Sequence, residues 1–311
     1  MEILTAAFLG PIADMIAEPL FLLEVVIGGV LTGVMYSLVA LGFVLIFKAS
    51  GVFNFAQGIM VLFAALTLVG LMERGVPIWL ALAITVAVMV VLAMAIERIV
   101  LRPLVNQADI ILFMATIGLT FFLEGFGEIL WGSNVKKLDI GIPDRSVEIG
   151  GVLINTFDVN AAVIAAVMVA VLAVLFQRTK IGRALRAVAD DHQAALSVGI
   201  SLTSIWVIVW AVAGIVALVA GIMWGGKSGV QFSLSLIALK ALPVLILGGL
   251  TSVPGAIVGG LIIGVGEKVA EVFWGPYIGG AIENWFAYVI AVAFLWFRPQ
   301  GLFGERIIER V

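Results

Sequence analysis

The sequence predicts an all-α fold, a polytopic bundle of about eight to ten transmembrane helices. Of its 311 residues, 63% are hydrophobic and only 12% are charged, whereas about a quarter of the residues in a soluble domain are charged. Several runs without a charged residue reach or approach the roughly 20 residues that cross the hydrocarbon core of a bilayer. They lie at 25–47, 49–72, 75–96, 159–177 and 193–226. Together these observations exclude a water-soluble fold.

We predict about nine spans from the apolar segments and the turn signals between them. They are placed at 20–47, 52–72, 77–96, 110–131, 161–176, 204–224, 232–250, 255–273 and 280–297. The step Pro254-Gly255 predicts a tight turn between the seventh and eighth spans. A glycine-rich segment that enters and leaves the membrane on one side would lower the count by one and invert the orientation of everything after it.

The spans are expected to form one transmembrane domain over residues 1–311. Its parts are a first group of spans at 20–131, an outer loop at 132–160, an inner loop at 177–203, a second group of spans at 204–297 and an inner tail at 298–311. With the amino terminus outside, ten Lys and Arg residues fall on inner loops and five on outer loops. This excess fits the positive-inside rule and places the 177–203 loop in the cytoplasm.

The cytoplasmic loop contains two predicted short helices. Residues 182–189 favour a helix, the pair Asp190-Asp191 is suited to cap a second helix over 192–198, and Gly199 is suited to end it. The stretch 193–199 reads Gln-Ala-Ala-Leu-Ser-Val-Gly, which resembles the E-A-A-x-x-x-G signature of ABC importer permeases. In those permeases a short helix sits in a cleft of the ATPase subunit. The heptad by itself also fits a chance occurrence in an alanine-rich loop.

The wider sequence resembles the LivH-type permease family of the branched-chain amino acid importers. The matching blocks run in the family's order along nearly the whole chain. They are Asn54-Phe55-Ala56-Gln57-Gly58, Ile96-Glu97-Arg98 with Arg102-Pro103-Leu104, Ala115-Thr116-Ile117-Gly118-Leu119, the loop from Thr179 to Ile200, Leu247-Gly248-Gly249-Leu250 with the stretch 252–260, and Arg298-Pro299-Gln300-Gly301-Leu302-Phe303-Gly304.

This resemblance implies a multi-pass subunit of the bacterial inner membrane that pairs with a LivM-like second permease. Two cytoplasmic ABC ATPase subunits and a periplasmic solute-binding protein complete such an importer, and no nucleic acid is expected as a partner. The sequence lacks a G-x-x-x-x-G-K-[ST] phosphate loop, so ATP hydrolysis is expected on another chain. With no cysteine and one histidine, we also expect neither a cofactor nor a metal site.

The resemblance also implies which residues contact the ATPase. They are Arg183, Arg186, Asp190, Gln193, Ala194, Ala195 and Gly199. Gln193 stands where the signature has Glu, which keeps the hydrogen-bonding capacity of the side chain but removes its charge. An ion pair at this position, if the family uses one, is therefore not expected here.

Four residues are candidates for the translocation path: Asn54, Gln57, Thr116 and Lys240. Asn54 and Gln57 stand three residues apart near one end of the second span. Their neutral amides fit two roles equally well: hydrogen bonding to a polar solute, or to the backbone of a neighbouring helix. An ionisable group inside the membrane needs a partner or water. For Lys240 a structural ion pair is favoured over contact with a solute.

Two other functions remain open at this point. A secondary transporter or solute channel often shows inverted repeats, and none is recognisable in the sequence. An intramembrane enzyme needs a nucleophile with a base, paired carboxylates or a metal, and His192 stands alone in a loop. The solute is also open among amino acids, urea and short amides. The lack of a cationic cluster in the spans favours a neutral or zwitterionic solute over a dianion.

Overall fold

The computed structural model describes residues 2–104 and 107–304, and this part of the chain is dominated by twelve α-helices. They are α1 (Glu2–Ala17), α2 (Pro19–Ser50), α3 (Gln57–Glu73), α4 (Ile78–Ala95), α5 (Asp109–Trp131), α6 (Thr156–Arg178), α7 (Lys180–Asp190), α8 (His192–Ser197), α9 (Leu202–Ser228), α10 (Ile237–Gly248), α11 (Val253–Ile278) and α12 (Phe286–Phe297). The predicted polytopic helical bundle is confirmed.

Within the described residues, five helices are long and apolar enough to cross a membrane. They are α2, the stretch Ile78–Leu104 that begins with α4, the stretch Ile110–Trp131 of α5, α6 and α9. The predicted seventh and eighth spans form a pair of helices bent by 115° at a short break, and the second and ninth correspond to the shorter apolar helices α3 and α12. Every predicted span therefore coincides with a helix, but four of the nine are short or bent.

Glycines in left-handed conformations explain where the helices stop. Gly51, with a φ of 70°, follows α2, and the chain then runs without helix to the start of α3 at Gln57. Gly249, with a φ of 106°, lies in the turn between α10 and α11. The Ser252 hydroxyl caps α11 by accepting the Gly255 N–H at 3.0 Å. A tight turn separates the two helices as predicted, but it lies at 249–252. The prediction that Pro254-Gly255 form it is wrong, because both residues lie in the first turn of α11, where proline is favoured.

A short β-hairpin departs from the all-α prediction. Strands β1 (Ser146–Ile149) and β2 (Val152–Asn155) pair antiparallel in the outer loop. Gly150 and Gly151, at φ values of 63° and 85°, form the two-residue turn, because two consecutive left-handed residues match the twist of a hairpin. The sequence predicted an outer loop at 132–160 but not this strand pairing.

The residues cluster into two compact units, each built from separate stretches of chain. The first consists of the described residues of Met1–Ser37, Ile142–Ala166 and Lys240–Val311, and the second of those of Leu38–Gly141 and Val167–Leu239. Helices α2, α6 and α10 each contribute residues to both units. The single transmembrane domain over residues 1–311 stays a prediction.

In the first unit, glycines let α2 and α11 pack backbone to backbone. A Cβ built on Gly33 would lie 2.6 Å from the Gly260 carbonyl oxygen, and one on Gly29 would lie 2.7 Å from Val265 Cα. Real Cβ atoms do not approach other atoms this closely. Small residues at four-residue spacing allow such contact between membrane helices. The glycines of the predicted eighth span therefore serve helix packing.

The segment after α12 closes the end of α10 in the same unit. The backbone N–H groups of Leu302 and Phe303 donate to the carbonyl oxygens of Leu247 (2.8 Å) and Gly248 (3.1 Å). These carbonyls belong to the last turn of a helix and lack partners within it. The sequence block at 298–304 therefore has a structural role as a helix cap. The predicted tail continues to 311, but residues 305–311 lie outside the described part of the chain.

The second unit is built around α3, which is buried over most of its length. It packs against α4, α5 and α9. At the end of α3, Glu73 forms an ion pair with Lys136, which also bridges to the backbone of Val230, and Arg74 lies 4.8 Å over the ring of Trp131. Three loops that the sequence predicts on the outer side thus meet at one end of this unit.

Candidate coupling element and polar groups in the membrane

The loop at 177–203, which is predicted to be cytoplasmic, folds into two capped helices. The Thr179 hydroxyl caps α7 by accepting the Gly182 N–H at 3.2 Å. The Asp191 carboxylate caps α8 by accepting the N–H groups of Gln193 (2.8 Å) and Ala194 (3.0 Å). Gly199 follows with a φ of 84°, a conformation that favours glycine. The predicted second helix, its aspartate cap and its glycine stop are confirmed.

Helix α8 presents a small, apolar surface. Gln193 and Ala194 are exposed, and Leu196 and Val198 are exposed to 52% and 73%. Ala195 is the buried anchor of the element, at 2% exposure. Neighbouring exposed apolar side chains in a cytoplasmic loop are typical of a surface that docks a protein. The structure therefore brings Gln193, Ala194 and Gly199 together on one short element.

The remaining predicted coupling residues divide into two kinds. Arg186 donates to the carbonyl oxygens of Phe176 and Gln177, so its guanidinium caps the end of α6 and holds α7 against it. Arg183 and Asp190 are exposed, and neither makes a side-chain hydrogen bond within the described residues. Arg186 thus has a structural task, whereas Arg183 and Asp190 are available to a partner. Asp191, which sets the start of α8, was missing from the predicted coupling residues although its position before the helix signalled a cap.

The helix that follows the loop contacts the end of α2. Trp206, in the second turn of α9, is buried and donates its indole N–H to the Ala49 carbonyl at 3.1 Å. Ala49 lies near the end of α2, just before the helical break at 51–56. The second unit therefore links the cytoplasmic loop to this break through one buried hydrogen bond.

Asn54 lies within the break and is fully buried. Its side-chain oxygen accepts the Ala56 N–H at 3.1 Å, while its amide nitrogen donates to the Gln57 side-chain oxygen at 3.4 Å. Asn54 therefore stabilises the turn that starts α3, a task that Asn performs often because its side chain can replace backbone partners. The sequence prediction weighed this backbone role equally with a solute contact, and the geometry favours the backbone role.

Thr116 holds the other side of the break. Its hydroxyl accepts the Phe55 N–H at 3.1 Å and lies 2.8 Å from the Phe113 carbonyl oxygen, to which it donates. Thr116 is 1% exposed, so water does not replace it as a partner. This side chain therefore satisfies a backbone N–H that no helix pairs.

We expect Thr116→Val to lower the free energy of unfolding by about 0.5–1.5 kcal/mol, because the Phe55 N–H would then lose its hydrogen-bond partner. The melting temperature of the purified protein measures the effect. Thr120→Val is the matched control, since the Thr120 hydroxyl donates only to the Thr116 carbonyl of its own helix. Equal shifts for the two variants would contradict the role of Thr116.

Gln57 differs from Asn54 in having spare hydrogen-bonding capacity. It is fully buried, and its amide nitrogen has no hydrogen-bond partner within the described residues. Its Cδ lies only 2.8 Å from where a Cβ on Gly42 would stand, so a glycine makes room for the amide. Unsatisfied buried donors are rare in native proteins. Gln57 therefore remains a candidate for contact with a polar solute.

Lys240 lies in the first unit and is paired. Its ammonium lies 2.9 Å from Glu267 Oε1 and donates to the Glu283 carbonyl at 2.8 Å. The same Oε1 accepts the Tyr36 hydroxyl at 3.0 Å. The favoured prediction of an ion pair at Lys240 is confirmed. Glu267 and Tyr36 were not among the predicted site residues, although a glutamate inside an apolar span is itself the signal of a functional group.

Comparison with known protein families matches residues 25–297 to the branched-chain amino acid transport system permease component. A similar curated protein is the high-affinity branched-chain amino acid transport system permease protein BraD of Pseudomonas aeruginosa, 29% identical over 93% of this chain and 98% of its own length. LivH of Escherichia coli is 26% identical over 94% of this chain and 98% of its own length.

A probable LivH of the archaeon Methanocaldococcus jannaschii is 30% identical over 89% of this chain and 91% of its own length. No solved structure matches the chain. The family match covers the spans of both units together with the capped loop between α6 and α9. The chain therefore belongs to the family of branched-chain amino acid transport permease components, and it is a multi-pass transport subunit of the inner (cell) membrane.

Proposed function

We propose that this permease component pairs with a LivM-like second permease to form the translocation path of an ABC importer. The solutes are branched-chain amino acids or related small polar molecules, delivered by a periplasmic binding protein and moved by ATP hydrolysis on two cytoplasmic subunits. The observation that carries the proposal is α8, a capped helix with exposed apolar side chains in a cytoplasmic loop. A channel or secondary transporter that works alone has no use for such a docking surface.

In this proposal the ATPase holds α8 through Gln193, Ala194 and the stretch up to Gly199, with Arg183 and Asp190 at the rim. Movement of the loop reaches α9, and the hydrogen bond from Trp206 carries it to Ala49 and the helical break. The break is where α2 ends and α3 begins. A shift there therefore changes the orientation of these two membrane helices relative to each other. This route lies entirely within the second unit.

The proposed path residues have different tasks. Gln57 offers an unpaired amide N–H to a polar solute, and Asn54 and Thr116 hold the break that positions it. Lys240 and its partner Glu267 belong to the first unit, where they are proposed as path residues by themselves. We further propose that the two units act as one transmembrane domain, since α2, α6 and α10 contribute to both.

Reconstitution tests the proposal. The complex of this chain with the second permease and both ATPases is placed in liposomes, and leucine uptake is measured with external binding protein and with or without internal ATP. We expect uptake that requires ATP and the binding protein. Liposomes that contain this chain alone serve as the control. Uptake by the chain alone, indifferent to ATP, would contradict the proposal and indicate a channel or secondary transporter.

A further inference from the structure

A buried ion pair is a poor way to stabilise a membrane protein. Removing two charges from water costs several kcal/mol each, and apolar side chains of similar volume often replace such pairs without loss of stability. The pair of Lys240 and Glu267 is nonetheless retained, with side-chain exposures of 20% and 4%. Ionisable groups at such positions are by default candidates for function.

Each member of this pair has one polar position without a hydrogen-bond partner in the part of the chain that the structure describes. Glu267 Oε1 accepts two donors, the Lys240 ammonium at 2.9 Å and the Tyr36 hydroxyl at 3.0 Å. Glu267 Oε2 is buried and has no partner within the described residues. The Lys240 ammonium carries three N–H groups, and two are used, by Glu267 and by the Glu283 carbonyl. One donor of the cation and one acceptor of the anion are therefore left open.

The neighbouring carboxylate of Glu271 does not pair with the third N–H of Lys240 or with Glu267 Oε2. Glu271, one turn along α11, accepts the backbone N–H groups of Ala281 (3.1 Å) and Glu283 (2.9 Å). Its carboxylate is thus occupied in fixing the segment whose Glu283 carbonyl holds Lys240. The partial exposure of Lys240 makes it the member of the pair that a solute reaches first.

The two open positions match the two charges of an α-amino acid. Standard bond lengths and the N–Cα–C angle place the ammonium nitrogen about 2.5 Å from the carboxylate carbon in such a molecule. In the pair the opposite charges are also adjacent, since Lys240 Nζ lies 2.9 Å from Glu267 Oε1. Two dipoles of this kind attract when they lie antiparallel, with the solute carboxylate on Lys240 and the solute ammonium on Glu267 Oε2.

From this geometry we propose that Lys240 and Glu267 form a recognition site for the zwitterionic head of an α-amino acid, with Tyr36 holding Glu267 in position. The inference rests on the proposed import function and narrows its solute class. A zwitterion adds no net charge to the site, whereas a solute with a single charge would leave one charge unpaired in the membrane. Urea and short amides lack both charges and gain nothing from the pair.

The first test replaces the pair by apolar side chains of similar length, Lys240→Met with Glu267→Leu, in the complete importer. We expect the subunits to remain together on purification and leucine uptake to fall by more than about 100-fold, since two charge-assisted hydrogen bonds to the solute are lost. The matched control is Lys268→Met, which removes a lysine of α11 that has no ion pair within the described residues. A double variant with uptake near that of the unmodified importer would overturn the inference.

The second test needs no substitution and therefore decides even if the double variant fails to assemble. The melting temperature of the complex of permeases and ATPases is measured without binding protein in leucine, in 4-methylpentanoate, which lacks the ammonium, and in 3-methylbutylamine, which lacks the carboxylate. We expect a rise with leucine alone. Equal rises with all three, or none with leucine, would overturn the inference. Failure of the unmodified importer to take up leucine with ATP would instead contradict the proposed import function.

Discussion

Ala194→Trp is expected to reduce ATP-driven uptake by more than about tenfold, which corresponds to a loss of about 1.4 kcal/mol of docking free energy. Ala194 is exposed on α8, so the indole extends away from the chain and does not disturb its own fold. In the proposed complex the cleft of the ATPase subunit accepts the small Ala194 side chain, and it is too narrow for an indole. The measurement is uptake in liposomes, with copurification of the ATPase subunits as a second readout.

Ala108→Trp is the matched control for this prediction. Ala108 is also exposed, directly precedes α5 and is predicted to lie on the cytoplasmic side, but it is outside the coupling element. We expect this variant to retain uptake and its ATPases. If Ala194→Trp transports as well as Ala108→Trp, then α8 is not the docking helix.

Gly33→Leu is expected to prevent correct folding of the first unit. A Cβ on Gly33 would already lie 2.6 Å from the Gly260 carbonyl oxygen and 2.9 Å from Leu261 Cα. These neighbours are backbone atoms of α11, which cannot turn aside as a flexible side chain does. Overpacking by a methylene costs about 1–3 kcal/mol in a packed core, and Leu adds four carbons. The yield of monodisperse protein after extraction from the membrane measures the loss.

Gly28→Leu provides the comparison on the same helix. No atom lies within 4 Å of a Cβ built on Gly28, so a leucine there meets open space. Replacement of a helical glycine lowers the entropy cost of folding, and we expect stability to be unchanged or higher by up to about 1 kcal/mol. Equal loss of protein for the two variants would show that close packing of α2 against α11 is not what requires Gly33.

The local structure of the coupling element follows from its sequence. Aspartate before a helix accepts the first free N–H groups, and glycine after it adopts a left-handed conformation; both signals are short-range, and the structure has Asp191 and Gly199 in these roles. The helices themselves follow from apolar runs too long for a soluble core.

Only the tertiary structure decided the tasks of the polar residues within the membrane. Asn54 and Thr116 accept hydrogen bonds from backbone N–H groups of the break that no helix pairs. The sequence does not show that these groups lie within hydrogen-bonding distance. Lys240 and Glu267 are 27 positions apart, and their pairing depends on the turn that bends α10 against α11. The sequence by itself determined that the chain is a membrane-spanning helical permease with a capped cytoplasmic helix, since composition, periodicity and caps act locally. The tertiary structure decided which partners the polar groups find, because hydrogen bonds such as those of Thr116 with Phe55 and of Lys240 with Glu267 join segments that are distant in the sequence.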